Sequence, residues 1–509
     1  MGRLENTKNN FFSGIVGQFI KIGAKFSLRT AIIYYFGAVY LGLDGLFINV
    51  ISILSLAELG IGDAICYALY KPIEQQNYSS IGSYMNFYKN VYRIIGLVIL
   101  ILGLGMLPFI DNIVNITEDI DVNYSLIYIL FLLNAVSSYL FGAYKQVIFI
   151  ADQKSYVINN VANIQLIIQS LAQLIALVII EDYYIYLGIM PVSNLLKNIV
   201  LSIKADEYYP FLKDANPKKL PNEKLKELAK NVYALAVTKI STTIYISSDN
   251  LVISTFIGTV IVGYYTNYAY IVTAISGIIS ILFSSVTASI GSVNAEDDSE
   301  KTHDVFLKML MINQWIYGLC FVCLWQLLTP FVRLWTGDES FLLSNEQVIL
   351  IVLMFLIPGL HHTCTIFRAA CGLFWQTRYR TLATAILNVL ISIILARLIG
   401  LSGIFLGTII SYLLTTFIVD PKVIYKYVFM KSVAEFYIWY LKSFLSIIAI
   451  AVVINFINLA ININIILDLG IKLIVCIVVY NALFVLLYRN NKYFQYLYCV
   501  IRRLFLKYE

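Results

Sequence analysis

The sequence predicts an all-α membrane protein with about fourteen transmembrane helices. The 509 residues are 60% hydrophobic and only 13% charged, and the mean hydropathy is +0.80, which excludes a water-soluble domain. Apolar blocks of about twenty residues, enough to cross a hydrocarbon core about 30 Å thick, recur along the chain. These spans are helices, because the alternating strands of a membrane barrel would give a much weaker apolar signal.

Polar, proline and glycine-containing breaks divide the chain into successive apolar blocks, and each block is interpreted as one helix. The first follows the polar segment GRLENTKNN and lacks a small-residue cleavage site, so we expect a retained helix rather than a signal peptide. With boundaries good to about four residues, the predicted helices are 11–41, 44–70, 84–109, 122–147, 155–180, 182–203, 231–257, 261–290, 303–331, 345–371, 377–398, 402–425, 436–459 and 464–488.

The longest polar run in the chain is Lys204–Lys230, which contains seven lysines. Pro210, Pro217 and Pro221 prevent a helix from continuing through it. Lysine-rich loops lie on the cytoplasmic side of a membrane. This run is therefore predicted to be a cytoplasmic linker.

The basic residues also predict the orientation of the chain. If the N-terminus is cytoplasmic, nearly all lysines and arginines fall in inner segments, and the outer loops hold only Arg333 and Arg397. This asymmetry predicts that both termini are cytoplasmic. The outer loops are also too short to carry a catalytic domain, which argues against an enzyme.

The two halves of the chain resemble each other when one is shifted by 223 positions, from Tyr144 to Phe367. The shift matches Lys145 with Arg368, Gln153 with Gln376 and Tyr156 with Tyr379. It maps six helices onto the next six, and because six is even, both copies have the same orientation in the membrane. The predicted domains are an N-terminal bundle at 1–203, a linker at 204–230, a second bundle at 231–430, and two further helices with a basic tail at 431–509.

Charged groups at membrane depth are costly and are therefore candidates for function. Lys25 and Arg29 lie on one face of the first helix, with Arg29 the deeper. A guanidinium suits phosphate because its planar fork can donate two hydrogen bonds at once. Lys21, near the start of that face, is expected among lipid headgroups. Lys239, in the seventh helix, is interpreted either as a substrate-binding cation or as a side chain that extends to the interface.

Three carboxylates in or near the predicted spans are candidates for ion coupling or for pairing with these cations: Glu58, Asp63 and Asp249. The alternatives are that Glu58 and Asp63 are solvated, and that Asp249 caps a helix or meets water. Gln165, Gln169 and Gln173 form a stripe at intervals of four that could bind sugar hydroxyls. The alternative is that this stripe joins two helices.

Other patterns argue against whole classes of function. The seven cysteines are scattered, mostly within apolar runs, and indicate neither disulfides nor a metal site. The sequence contains no GxxxxGK[ST] motif for nucleotide hydrolysis. No catalytic residues, cofactor, metal or nucleic-acid partner is expected. Movement of a substrate against its gradient would draw on an ion gradient, the membrane potential or removal of the product.

Three stretches resemble one family of membrane proteins. FRAACGLFWQTRYRTLATAILNVL, which opens Phe367–Tyr427, looks like the second-half signature of the polysaccharide repeat-unit flippases of Gram-positive bacteria. YLGLDGLFINVISILSLAELGIGDAICYALYKP (Tyr40–Pro72) resembles the first-half signature, and Gly258–Val272 is similar to the turn between helices 7 and 8. These flippases belong to the multidrug, oligosaccharidyl-lipid and polysaccharide exporter superfamily.

The resemblance implies a MATE-like fold of two six-helix bundles in a V, with two additional C-terminal helices. It implies a flippase in the bacterial cytoplasmic membrane that moves undecaprenyl-pyrophosphate-linked oligosaccharides to the outer leaflet for capsule or exopolysaccharide assembly. Membrane lipids and other polysaccharide-assembly proteins are the implied partners. Related lipid II flippases use cavity arginines, including one on helix 1, and the resemblance assigns that role to Arg29.

Two alternatives remain open. A multidrug or small-molecule antiporter of the same fold would favour an acidic cavity for cationic drugs, whereas Lys25, Arg29 and Lys239 are basic. A membrane polymerase or glycosyltransferase would need an outer catalytic loop that the sequence does not provide.

Overall fold

The computed structural model describes residues 3–58, 60–114, 122–214, 220–294, 299–373, 376–459 and 465–505. These residues form α-helices joined by short turns, and no strand occurs among them. The helices are α1 (Arg3–Tyr35), α2 (Ala38–Leu54), α3 (Ile61–Glu74), α4 (Tyr78–Met106), α5 (Ile110–Ile113), α6 (Tyr124–Ser137), α7 (Gln146–Ala151), α8 (Ser155–Ile175), α9 (Tyr183–Tyr208), α10 (Phe211–Asp214), α11 (Asn222–Phe256), α12 (Thr259–Asn294), α13 (Ser299–Thr336), α14 (Asn345–Ala370), α15 (Arg380–Ile399), α16 (Leu401–Leu414), α17 (Thr416–Ile424), α18 (Ala434–Leu459), α19 (Ile465–Tyr488) and α20 (Lys492–Phe505).

The all-α class predicted from the sequence is confirmed. In the described part of the chain, nine helical stretches are long and apolar enough to cross a membrane, and α2 and α6 are shorter apolar helices. Every predicted span coincides largely with helix. The number of membrane crossings, fourteen, stays a prediction.

Four of the predicted spans are interrupted. The span at 11–41 is broken at Gly37, between α1 and α2, and the span at 402–425 is broken at Thr415, between α16 and α17. The span at 44–70 is broken before α3, where Gly60 has a φ of 71°. The span at 122–147 is broken after α6, where Phe141 and Gly142 have φ values of 51° and 80°. A right-handed helix cannot continue through residues with positive φ. The apolar pattern missed these breaks because it reports burial rather than backbone dihedrals.

The described helices form two compact units, Met1–Gly263 and Tyr264–Glu509. In the first unit, α9 packs on α6 and α8, and in the second, α16 packs on α14 and α15. In both units, the last of three successive spans therefore packs on the two before it, which agrees with the repeat predicted from the sequence. Helix α11 packs on α2 and α3 in the first unit, so the domain boundary predicted at 230/231 from the repeat stays a prediction.

Each unit holds a basic residue of the repeat against an aspartate. In the first unit, Lys145 Nζ lies 2.6 Å from Asp206 Oδ1 on α9. In the second, Arg368 Nε lies 3.7 Å from Asp420 Oδ1 on α17, and Arg380 forms a closer pair with the same carboxylate. Lys145 and Arg368 are one of the pairs matched by the sequence shift. These ion pairs hold the turn after α6 against α9 in the first unit, and the end of α14 and the start of α15 against α17 in the second.

Small and polar side chains bring α15 and α16 together. Gly400 has a φ of 63°, which reverses the chain between the two helices. A methyl group at Gly403 would collide with the backbone of Leu395, so the helices approach closely there. Asn388 Nδ2 then donates to Thr408 Oγ1 at 2.8 Å across the buried interface. Such close packing with polar contacts is typical of helices that associate in a membrane.

The helices beyond the repeat attach to the second unit through α13. Gln326 Nε2 donates to Asn455 Oδ1 on α18 at 3.3 Å. Trp315 Nε1 donates to Asn481 Oδ1 on α19 at 2.9 Å. Amide and indole groups therefore fix the positions of α18 and α19 relative to α13.

Candidate functional site

Arg29 lies on α1 six residues before the helix ends, and its side chain is half-buried. Its Nη2 donates to the carbonyl oxygen of Gly263 at 3.4 Å. Lys25, one turn earlier on the same face, is exposed. The two cations predicted from one helical face therefore differ in burial, and Arg29 is the one held within the packed unit.

A buried carboxylate lies close to Arg29. Asp44 on α2 is only 9% exposed and interacts electrostatically with Arg29. Its two oxygens accept hydrogen bonds from the hydroxyls of Tyr183 at 2.6 Å and Tyr186 at 3.3 Å, both on α9. Arg29, Asp44 and the two tyrosines thus form a polar cluster that joins α1, α2 and α9.

Sequence reasoning missed Asp44, although a signal was present. A single aspartate within the apolar run YLGLDGLFIN is costly in a membrane and therefore indicates a structural or functional role. Lys197, a cation within α9, carries the same kind of signal and was also missed. Its Nζ donates to Asn194 Oδ1 at 2.7 Å, and Asn194 Nδ2 donates to Asn134 Oδ1 at 2.7 Å. That chain of contacts joins α9 to α6.

Glu58 and Lys239, predicted separately, are brought together. Lys239 Nζ lies 3.0 Å from Glu58 Oε2, and their side chains are 38% and 21% exposed, with the lysine the more exposed. Lys239 is midway along α11, and Glu58 ends the short 3-10 turn Ser55–Glu58 after α2. The break before α3 thus places the carboxylate against the lysine of a helix far away in the sequence.

Three tyrosines lie near Glu58, the acidic member of this ion pair. The rings of Tyr88 and Tyr92 on α4 lie 4.6 Å apart between centroids, and Tyr92 lies 5.2 Å from Tyr139. All three interact electrostatically with Glu58. The three phenol groups therefore contribute to the electrostatic environment of Glu58.

We expect the Glu58–Lys239 pair to act as one unit in stability. Glu58→Gln and Lys239→Met should each lower the midpoint of thermal unfolding slightly, whereas the exchanged pair Glu58→Lys with Lys239→Glu should recover much of the loss. Because the lysine is partly exposed, the coupling free energy should be only about 0.2–1 kcal/mol. A double-mutant cycle on thermal unfolding measures it. An exchanged pair no more stable than the worse single variant would contradict the prediction.

The other two predicted carboxylates lie elsewhere in the first unit. Asp63 is exposed in the first turn of α3, where an acidic side chain interacts favourably with the helix dipole. Asp249 is buried, 6% exposed, seven residues before the end of α11. Their assignment to ion coupling stays a prediction.

The predicted glutamine stripe forms a continuous chain of hydrogen bonds. Gln165 Nε2 donates to Gln169 Oε1 at 2.6 Å, and Gln169 Nε2 donates to Gln173 Oε1 at 3.1 Å. Gln165 also donates to Ser193 Oγ at 2.8 Å, and Gln173 donates to the carbonyl oxygen of Tyr186 at 3.1 Å. The stripe therefore joins α8 to α9, as in the alternative interpretation, and sugar binding by it stays a prediction.

No group of three or more His, Cys, Asp or Glu side chains that could hold a metal ion occurs among the described residues. Glu58 instead pairs with Lys239, and Asp44 accepts hydrogen bonds from the hydroxyls of Tyr183 and Tyr186. Such an arrangement can bind and release charged groups, or exchange a proton at a carboxylate, without a covalent step.

The sequence matches no protein-family model and no curated protein sequence. Several solved structures are nevertheless similar to the chain as a whole. The lipid II flippase MurJ in an inward closed conformation superposes with a TM-score of 0.66 at 16% identity, over 96% of this chain and 99% of MurJ. The comparison extends over the C-terminal helices as well as the repeat.

Two further similar structures are transporters. An inward-facing multidrug resistance MATE transporter of the MOP superfamily superposes with a TM-score of 0.59 at 17% identity, over 81% of this chain and 97% of that one. A MOP superfamily transporter from Pyrococcus furiosus, described as having a binding pocket of reverse polarity, gives 0.55 at 15% identity, over 85% and 98%. This chain therefore has the fold shared by MurJ and the MATE transporters.

Proposed function

We propose that this chain is a flippase that moves undecaprenyl-pyrophosphate-linked oligosaccharides from the inner to the outer leaflet of a bacterial cytoplasmic membrane. The observation that carries the proposal is Arg29, a half-buried guanidinium on the first helix of a MurJ-like fold. The product would serve capsule or exopolysaccharide assembly, and other assembly proteins would act on either side of this step. Both termini would be cytoplasmic, as the distribution of lysine and arginine predicts.

The chemistry of such a substrate agrees with the first unit. A pyrophosphate leaves water only at a high cost unless cations and hydrogen-bond donors replace its hydration. Arg29, with Lys25 exposed one turn away and Lys239 partly exposed on α11, provides such cations. The polyprenyl tail can remain in lipid throughout. Alternating access would then move the polar head without exposing it to hydrocarbon.

Coupling to an ion gradient has a structural candidate in Glu58. A proton on this carboxylate would remove its charge and weaken the attraction of Lys239 Nζ, 3.0 Å away. Lys239 would then be available to an anionic substrate. In this proposal, binding of the proton and of the substrate favour each other at one pair of side chains.

The second candidate function is a multidrug or small-molecule antiporter. It is favoured by Asp44, a buried carboxylate of the kind that could accept a proton or attract a cationic compound. The adjacent Arg29 argues against a cationic ligand, because its charge offsets that of the carboxylate. We therefore place the flippase first, and a polymerase or glycosyltransferase last.

The experiment that tests the proposal uses proteoliposomes that contain only this chain and a fluorescent undecaprenyl-pyrophosphate oligosaccharide. A membrane-impermeant quencher reports the fraction of the lipid in the outer leaflet over time. We expect protein-dependent transfer, with a rate that changes when a proton or sodium gradient is imposed. Unchanged leaflet distribution with and without a gradient would reject the flippase. Gradient-driven transport of a cationic dye by the same vesicles would favour the antiporter.

A further inference from the structure

A polar cavity lies in the first unit, apart from the cluster around Arg29. It has a volume of about 570 Å³ and lies between α3, α4 and the start of α11. The polar groups that line it include two lysines, two tyrosines, an amide and a hydroxyl, from Tyr67, Tyr70, Lys71, Gln75, Ser80 and Lys224. A cavity of this size can hold a lipid headgroup or a small polar molecule.

The charge of this cavity is positive. Lys71 and Lys224 both line it, and no acidic residue occurs among its lining residues in the described part of the chain. Lys224 Nζ donates to Ser80 Oγ at 3.1 Å and lies 5.5 Å from the centroid of the Tyr84 ring. These partners are neutral, so they orient the ammonium group without cancelling its charge. Two ammonium groups that share one cavity repel each other, and an anion between them relieves that repulsion.

The remaining lining groups suit hydroxyls as well as phosphate oxygens. Tyr67 and Tyr70 are 67% and 48% exposed, and their ring centroids lie 6.2 Å apart. A phenolic hydroxyl can both donate and accept a hydrogen bond, and the Gln75 amide can do the same. The cavity therefore offers cations for a phosphate and neutral donors and acceptors for a polyol.

We propose that this cavity binds a phosphate-bearing headgroup with free hydroxyls, such as the glycerol phosphate of an anionic lipid. The inference rests on the membrane orientation given with the proposed function. That orientation places the start of α11, which lies within the lysine-rich linker, at the inner leaflet. Basic pockets between helices on the cytoplasmic side bind anionic headgroups. Binding of a headgroup at this cavity does not require transport, and the bound lipid would be regulatory or structural rather than the transported substrate.

The test measures lipid retention on the purified full-length chain. The protein is exchanged into detergent with phosphatidylglycerol or phosphatidylcholine, and bound lipid is counted by native mass spectrometry over a titration. We expect phosphatidylglycerol to bind more tightly than phosphatidylcholine. Lys71→Gln or Lys224→Gln should weaken its binding roughly fivefold, and the double variant roughly thirtyfold. Lys224→Arg should retain binding.

Lys226→Gln is the matched control, because Lys226 is exposed two residues further along α11 and does not line the cavity. A second arm titrates glycerol 1-phosphate and inorganic phosphate without lipid. If glycerol 1-phosphate binds about as tightly as phosphatidylglycerol, the natural occupant is a soluble phosphate ester. If only phosphatidylglycerol binds, the occupant is a membrane lipid. Size-exclusion chromatography checks that each variant is folded.

Equal retention of phosphatidylglycerol and phosphatidylcholine would overturn the proposal. The proposal would also be overturned if the double variant bound phosphatidylglycerol as tightly as Lys226→Gln does. Neither result bears on leaflet transfer, which is measured separately with the fluorescent oligosaccharide lipid. Failure of the headgroup site and failure of the flippase are therefore distinguishable.

Discussion

Arg29→Ala is expected to reduce the initial rate of lipid-linked oligosaccharide transfer by roughly 10- to 100-fold, the effect of losing a charge-assisted hydrogen bond or a bidentate pair with phosphate. Arg29 is half-buried in α1, so a phosphate that reaches it meets a guanidinium that is partly shielded from water. The proteoliposome assay measures the rate, and the amount of protein in the membrane normalises it. Arg29→Lys should recover only part of the activity, because an ammonium cannot donate the two parallel hydrogen bonds of a guanidinium.

The control for this prediction is Lys21→Ala, which removes a cation from the same helix. Lys21 is exposed two turns before Arg29, and we expect it to contact headgroups rather than the substrate, with little change in the transfer rate. Asp44→Asn tests whether Arg29 acts alone, since this carboxylate interacts with it. If Arg29→Ala transfers the lipid as fast as Lys21→Ala, the assignment of the phosphate to Arg29 is wrong.

Asp420→Ala should strongly destabilise the second unit, lowering the free energy of unfolding by about 3–5 kcal/mol. The side chain of Asp420 is fully buried at 0% exposure, between Arg368 at 13% and Arg380 at 12%. Removing it leaves two largely buried guanidinium groups without their shared counter-charge. We expect a lower midpoint of thermal unfolding in detergent and less protein in the membrane.

Asp206→Ala in the first unit is the matched control for Asp420→Ala. Asp206 is 21% exposed and pairs with one lysine, Lys145, at 15%. Water can therefore solvate part of the remaining charge, and the loss of stability should be clearly smaller. Asp420→Asn is a milder variant that keeps the size of the side chain. Equal thermal midpoints for Asp420→Ala and Asp206→Ala would contradict this account.

Local sequence patterns were sufficient for the helical class and for much of the repeat. Apolar block length determines whether a segment can cross a membrane, and that property depends on neighbouring residues only. The repeat was visible because Lys145 and Arg368 occupy equivalent positions, and both form ion pairs with an aspartate in the structure. The shift of 223 positions did not match the two aspartates with each other, because Asp206 and Asp420 are 214 positions apart.

The sequence by itself determined that the chain is a bundle of membrane helices and that Arg29, Lys239 and Glu58 are unusual within them, because the cost of a charge in an apolar segment is a local property. Only the tertiary structure decided which of these groups meet. Glu58 and Lys239 are 181 residues apart, and Asp44 and Tyr183 are 139 residues apart. Contacts over such separations depend on which helices pack together and on breaks such as that at Gly60. Neither the packing nor the backbone dihedrals can be obtained from hydropathy, since side chains with the same hydropathy are compatible with many arrangements.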